Sequence, residues 1–169
     1  MRLRSREELS FRLKQEFSNV GLWLRPPAPS VRATSPLPGL PDPGPVVEAL
    51  RGTAFRDEVV GLADGVLRGK YPLLGTVCEL GSNPDWRRDF VSGRSSHEKY
   101  FRLVPYLDAS RVGDHKVVWE LNRHQWLVVL AQAYRFTGNR EYLASIERHL
   151  ATWFDQNPYM RGINWCSAL

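Results

Sequence analysis

The chain has 169 residues, the size of one domain or of part of a larger protein. With 43% hydrophobic and 24% charged residues it is not a wholly disordered chain, a collagen-like repeat or a disulfide-dense mini-protein. Lys and Arg number 23 against 18 Asp and Glu, a formal net charge of +5 that suits a polyanionic partner, nucleic acid or acidic polysaccharide, without choosing between them.

Taken in chain order, Ser5-Arg6-Glu7-Glu8 reads as a capping box. Leu9, Leu13, Phe17, Val20 and Leu24 follow at helical spacing, which predicts an amphipathic helix over residues 6–24 that Pro26 and Pro27 stop. No apolar run of the kind a secretory signal needs accompanies its basic start, and no stretch is long enough for a membrane span. Prolines 26, 27, 29, 36, 38, 41, 43 and 45 make residues 26–45 an extended connector. Val47, Leu50, Phe55, Val59, Leu62 and Val66 predict helix from about 46 to 69, interrupted at Gly52 and stopped at Gly69.

Between Tyr71 and Gly113 the periodicity is poor. Residues 71–75 and 76–80 read as short extended pieces, and the rest as surface loops, with Trp86 and Asp89 in a basic, solvated segment. Asp114 caps a long helix running to about Phe136, Gly138-Asn139 breaks the chain, and a helix over roughly 140–156 buries Tyr142, Ile146, Leu150 and Trp153. Asn157-Pro158 ends it, and 162–165 opens one more element. Ser167-Ala168-Leu169 looks like the rising edge of an apolar helix, so the expectation is a piece of a longer protein.

Few residues offer chemistry. Cys78 and Cys166 read as two unpaired thiols, a single bridge between them being the other option, and His97, His115, His124 and His149 are dispersed. No metal or cofactor site is therefore expected, and no phosphate loop, nucleophile elbow or nucleic-acid module appears. On one continuous helix Trp119, Asn122, Arg123 and Trp126 fall at i, i+3, i+4 and i+7 and share a face. A guanidinium and an amide between two indoles suit an anionic sugar, the fork meeting a carboxylate or sulfate and the indoles meeting ring faces. The same four residues also fit a helix–helix core, with Arg123 paired to Glu120 or to solvent. Asn122 and His124 would point about 200° apart on a helix and could not converge on one substrate, which leaves His124 in a core or supporting role. Asn157, Asn164 and Trp165 surround a turn and a helix start, where polar groups enter clefts or simply cap and pack.

Three segments together resemble the heparinase II/III-like polysaccharide lyases. They are Gly113-Asp114-His115-Lys116-Val117-Val118-Trp119-Glu120-Leu121-Asn122-Arg123-His124, the run Leu130 to Asn139 with Trp153 and Asn157-Pro158 after it, and Gly162-Ile163-Asn164-Trp165-Cys166-Ser167-Ala168-Leu169. The resemblance implies an all-α, mainly helical fold with irregular loops and little strand: residues 46–169 would begin an incomplete (α/α) toroid, preceded by the helix 1–25 and the connector 26–45. It also implies a parent that cleaves uronate-containing acidic polysaccharide by β-elimination, outside the cytoplasm, with the rest of the toroid and a β-sandwich domain beyond this chain. The family's catalytic Asn-x-His motif and Tyr lie further on, so no catalytic residue and no cofactor is assigned here and the piece alone is expected to be inactive. Candidate substrate contacts are Trp119, Asn122, Arg123, Trp126, Asn164 and Trp165. A non-catalytic module that binds or helps assemble an acidic exopolysaccharide is the alternative function, and a helical scaffold without glycan affinity the plainest one. The missing export signal stands against the periplasmic or extracellular location and leaves a cytoplasmic one open.

Overall fold

The computed structural model describes residues 5–27, 39 and 41–166 and is mainly helical. Two compact units, Met1–Leu37 and Pro38–Leu169, are distinguished, and each is described by itself. The first holds α1 (Arg6–Leu24), whose Ser5 Oγ accepts the Glu8 amide at 3.1 Å as the capping box requires. No residue of α1 is buried, and Leu9, Phe11, Leu13, Phe17, Val20 and Leu24 are exposed, Phe17 the most. Most of the proline-rich connector lies outside the described residues. Its last residues do not stay extended: α2 (Gly44–Leu50) starts inside it, because Pro45 falls in the first helical turn, where no backbone donor is needed.

The second unit is built on three helices. The chain breaks at Arg51–Thr53, as Gly52 predicts, and α3 (Ala54–Leu67) buries Val59, Ala63 and Val66. Helix α6 (Gln125–Thr137) buries Trp126, Leu130, Ala133 and Phe136, and packs against both α3 and α7 (Glu141–Gln156). Ala63 and Ala133 are completely buried; residues this small let helix axes approach closely. In α7 the buried stripe is Tyr142, Ser145 and His149, while Leu150 is exposed and Ile146 and Trp153 are half-buried. This corrects the apolar stripe expected from the sequence. Ser145 and His149 are polar, and only tertiary partners make their burial tolerable.

A hairpin, β1 (Lys70–Leu73) and β2 (Thr76–Glu79), pairs Tyr71 with Cys78 and directs Tyr71 and Leu73 into the core. Its turn residues Leu74 and Gly75 both have positive φ, matching the twist of paired strands. The segment after it is not a solvated loop. Trp86 is completely buried, stacked 6.1 Å from Trp126, and Asp89 and Ser96 are buried too. The loop is long because it fills the core with side chains rather than with a regular element. A smaller cluster of Val104, Val112, Val118 and Ile163 joins α4 (Ala109–Val112), α5 (His115–Leu121) and a 3-10 turn, Ile163–Trp165. Cys78 and Cys166 are free thiols.

One hydrogen-bonded line crosses the main core. Trp126 Nε1–H donates to His149 Nδ1 at 3.3 Å, so the imidazole proton sits on Nε2 and donates to the Tyr71 hydroxyl at 3.1 Å. Tyr71 passes its own proton to the Gly81 carbonyl at 3.0 Å. Burial, helped by the Arg148 charge, pushes the His149 pKa down to about 4. Burial does the same to His124, also to about 4. Both rings are neutral when folded, whereas in the unfolded chain they protonate below about 6.5. The unfolded state therefore binds more protons between those values, and stability falls as pH drops from about 6.5 to about 4, levelling off below. Thermal melts across this window should show that slope. His149→Gln, which keeps a donor and an acceptor but does not titrate, should reduce the slope to about half, the His124 share remaining.

Candidate functional site

The segment expected as one helix from Asp114 to Phe136 is two helices. Asp114 caps α5 through Lys116 as predicted, at 2.8 Å, but α5 ends at Leu121 and α6 begins at Gln125. Between them His124 takes a left-handed conformation, φ 54° and ψ 29°, rare for a residue with a Cβ. Trp119 and Trp126 thus belong to different helices, and the shared face does not form. No Gly or Pro announces the break; it is made by the Asn122 side chain.

Asn122 uses its whole hydrogen-bonding capacity. Its Nδ2 donates to the Val118 carbonyl at 2.7 Å, closing α5, and to the Trp86 carbonyl at 2.9 Å. Its Oδ1 accepts Trp153 Nε1 at 2.7 Å and Asn164 Nδ2 at 3.0 Å. Asn164 Nδ2 also reaches the Trp86 carbonyl at 3.0 Å and Asn157 Oδ1 at 2.8 Å, three acceptors for two protons, so one proton is shared. Asn157, the C-cap of α7, donates to the Trp153 carbonyl at 2.9 Å, and its own carbonyl accepts Trp165 Nε1 at 3.3 Å. Four pieces of chain meet here: the Trp86 loop, the α5–α6 junction, the end of α7 and the Ile163–Trp165 turn.

The indole N–H groups are taken up internally. Trp119 donates to the Ile163 carbonyl at 3.2 Å, Trp86 to Thr152 Oγ1 at 3.1 Å, and Trp126 to His149. What these side chains offer a ligand is ring face, and mainly at the half-buried Trp119, Trp153 and Trp165, the last in edge contact with Tyr159 at 5.0 Å. His124 sits among Trp86, Trp126 and Trp153, with ring centroids 5.0, 5.7 and 5.8 Å away. Arg123 projects from the same junction. Its side chain is 58% exposed and its NH1 lies 3.1 Å from Glu120 Oε2, whose side chain is only 16% exposed.

The start of α5 is pinned by the buried Asp89. Its carboxylate accepts the amides of Val91 (2.8 Å), Ser92 (3.0 Å) and Asp114 (2.9 Å) and the Ser92 hydroxyl (2.6 Å). Burial raises its pKa, but these donors outweigh burial and hold it below the ordinary value. Gly113, φ 79°, passes so close that a Cβ there would stand 2.4 Å from Asp89 Cβ.

Of the six residues singled out from the sequence, Asn122 and Asn164 are bonded to each other, and Trp165 joins them through Asn157. Arg123 lies beside them. Trp119 is tied to the same turn through Ile163, and Trp126 is 1% exposed in the main core, out of reach of a polymer. The sequence placed Asn157 beside Asn164 and Trp165, but it did not reveal Trp86 and Trp153 as the connecting parts. Trp86 and Trp153 carried the one available signal, an aromatic ring beside polar chain, but pairing partners 31 to 78 residues apart has no local signature.

Residues 71–166, from the first strand of the hairpin to the end of the described chain, match the family described as Heparinase II/III N-terminus. The chain belongs to this family. It is also 30% identical over 50 residues to a heparin-sulfate lyase from Bacteroides stercoris, a match covering 30% of this chain and 8% of that enzyme. No solved structure matches the chain. The heparinase II/III match spans all four pieces that Asn122 joins, so this junction lies wholly within the family's region.

Removing the junction should cost stability. Asn122→Asp puts acceptors opposite the Trp86 and Val118 carbonyls and should destabilise the protein by about 3 kcal/mol, the scale of a buried polar group facing the wrong partner. Asp89→Asn should cost about 1.5–3 kcal/mol, the worth of hydrogen bonds to a charged group. Urea denaturation of each variant checks both.

Proposed function

We propose that this chain forms the opening wall of a glycan-binding cleft in a polysaccharide lyase, holding a uronate-containing acidic polymer that the whole protein cleaves by β-elimination. The family membership supports the lyase class, and one observation supports the binding role of this segment: the guanidinium of Arg123. It stands exposed on a junction whose backbone is locked by Asn122, and Glu120 steadies it without burying it. A planar fork so held meets a carboxylate with two parallel hydrogen bonds, while half-buried indoles nearby offer faces to sugar rings.

The chemistry explains why a cation there is useful. In β-elimination a base takes the C5 proton, the electron pair becomes a double bond conjugated with the carboxylate, and the C4–O bond breaks with the leaving oxygen gaining a proton. Negative charge builds next to a carboxylate that is already anionic, so donors directed at it lower the barrier. The base and the acid would come from the rest of the protein, and this chain on its own would bind without cleaving. The polymer would be met in the periplasm or outside the cell, which fractionation of the tagged parent protein tests.

Arg123→Ala should weaken oligouronate binding by about 1.5–3 kcal/mol, the scale of a charged hydrogen bond. Arg123→Lys keeps the charge but loses the fork and should fall between the two. Calorimetric titration and melting temperature are measured together on the parent protein. Normal affinity with lowered stability would make Arg123 a structural partner of Glu120 only. Binding of uronate polymer with no unsaturated product would favour a non-catalytic binding module.

A further inference from the structure

Residues 96–99, which have no regular structure, link two isolated bridges, Arg88 with Ser95 and Tyr100 with Arg161. His97 and Lys99 line one cleft, and Glu98 lies outside that lining. Glu98 is held there by two guanidinium groups, Arg87 at 3.8 Å and Arg161 at 3.5 Å. The acid is drawn away and the two bases are left together. They line a cleft of about 250 Å³ with Arg111 of α4, over Val104, Pro105 and Val112, and no carboxylate lines it. Asp108, which caps α4, acts electrostatically on Arg111 and lines the adjoining hollow, which shares Val104 and Pro105 with the cleft; its carboxylate is engaged by the Ser110 amide at 3.1 Å and hydroxyl at 2.6 Å. The cleft is firmly backed. Val104 and Val112 pack with Val118 and Ile163, and the Lys99 carbonyl accepts the Gly162 amide at 2.7 Å.

We propose that this cleft binds a tetrahedral oxyanion, a sulfate or phosphate group, at a site separate from Arg123. Two cations, Lys99 and Arg111, with the His97 ring beside them on a separate chain position from Arg111, suit an anion with oxygens on several sides, whereas a planar carboxylate is best met by a single guanidinium fork. The apolar lining leaves room for the edge of a ring that carries the group. The site rests on its own geometry and not on the lyase reading.

The test is a titration of the protein with inorganic sulfate, glucosamine 6-sulfate and glucose 6-phosphate at fixed ionic strength, followed by amide chemical shifts. Shifts are expected at 97–99 and 109–112. Lys99→Gln with Arg111→Gln should weaken binding about tenfold or more, the loss of charged hydrogen bonds at about 1.4 kcal/mol per tenfold. Arg68→Gln with Lys116→Gln removes the same charge from exposed positions elsewhere and should leave affinity unchanged. Tighter binding of the sugar esters than of inorganic sulfate supports an ester-borne group, and equal binding supports the free oxyanion; both retain the site. The proposal is overturned if no shift appears at those residues, or if the two double variants behave alike. A defect in Arg123 variants alone bears on the lyase reading and leaves this site untouched.

Discussion

The Asn122 carboxamide is the point on which the second unit turns. It ends one helix by taking the Val118 carbonyl, holds the Trp86 loop by its backbone, and presents one oxygen to both Trp153 and Asn164. Every donor and acceptor it owns is used, so no other side chain of similar size substitutes without leaving a buried group unpaired. The left-handed His124 follows from this: the chain must turn sharply after Asn122 for Trp126 to enter the core behind Trp86. Strain in the backbone is stored at the junction and offset by the bonds around it.

The aromatic residues carry two duties at once. Their rings fill a core that would otherwise be thin, and their N–H groups fasten segments far apart in sequence, as Trp153 does to Asn122 and Trp119 to Ile163. An indole bonded through nitrogen retains its faces, so structural use and a role at a sugar surface do not compete at the half-buried rings. At Trp126 they do compete, because burial removes the faces as well.

Charge is arranged on a similar plan. Glu120 and Glu98 each sit against arginines and set where those guanidinium groups point, while Asp89 spends its charge on backbone amides inside the fold. The positive groups left outward-facing, Arg123 at the junction and Lys99 with Arg111 in the cleft, are separate features on elements joined through the Ile163 turn.

Local chemistry in the sequence was enough for the helical character, the caps at Ser5 and Asp114, the break at Gly52, the hairpin pieces and the family, because each depends on neighbours within a few residues. It did not decide the split between α5 and α6, the burial of Trp86 and Asp89, or the polar stripe of α7. Asn-Arg-His is compatible with a helix interior, and a Trp among Asp and Arg residues looks solvated. Only when Asn122 meets Trp153, and His149 meets Tyr71 78 residues away, do their polar groups find partners that make those conformations the stable ones.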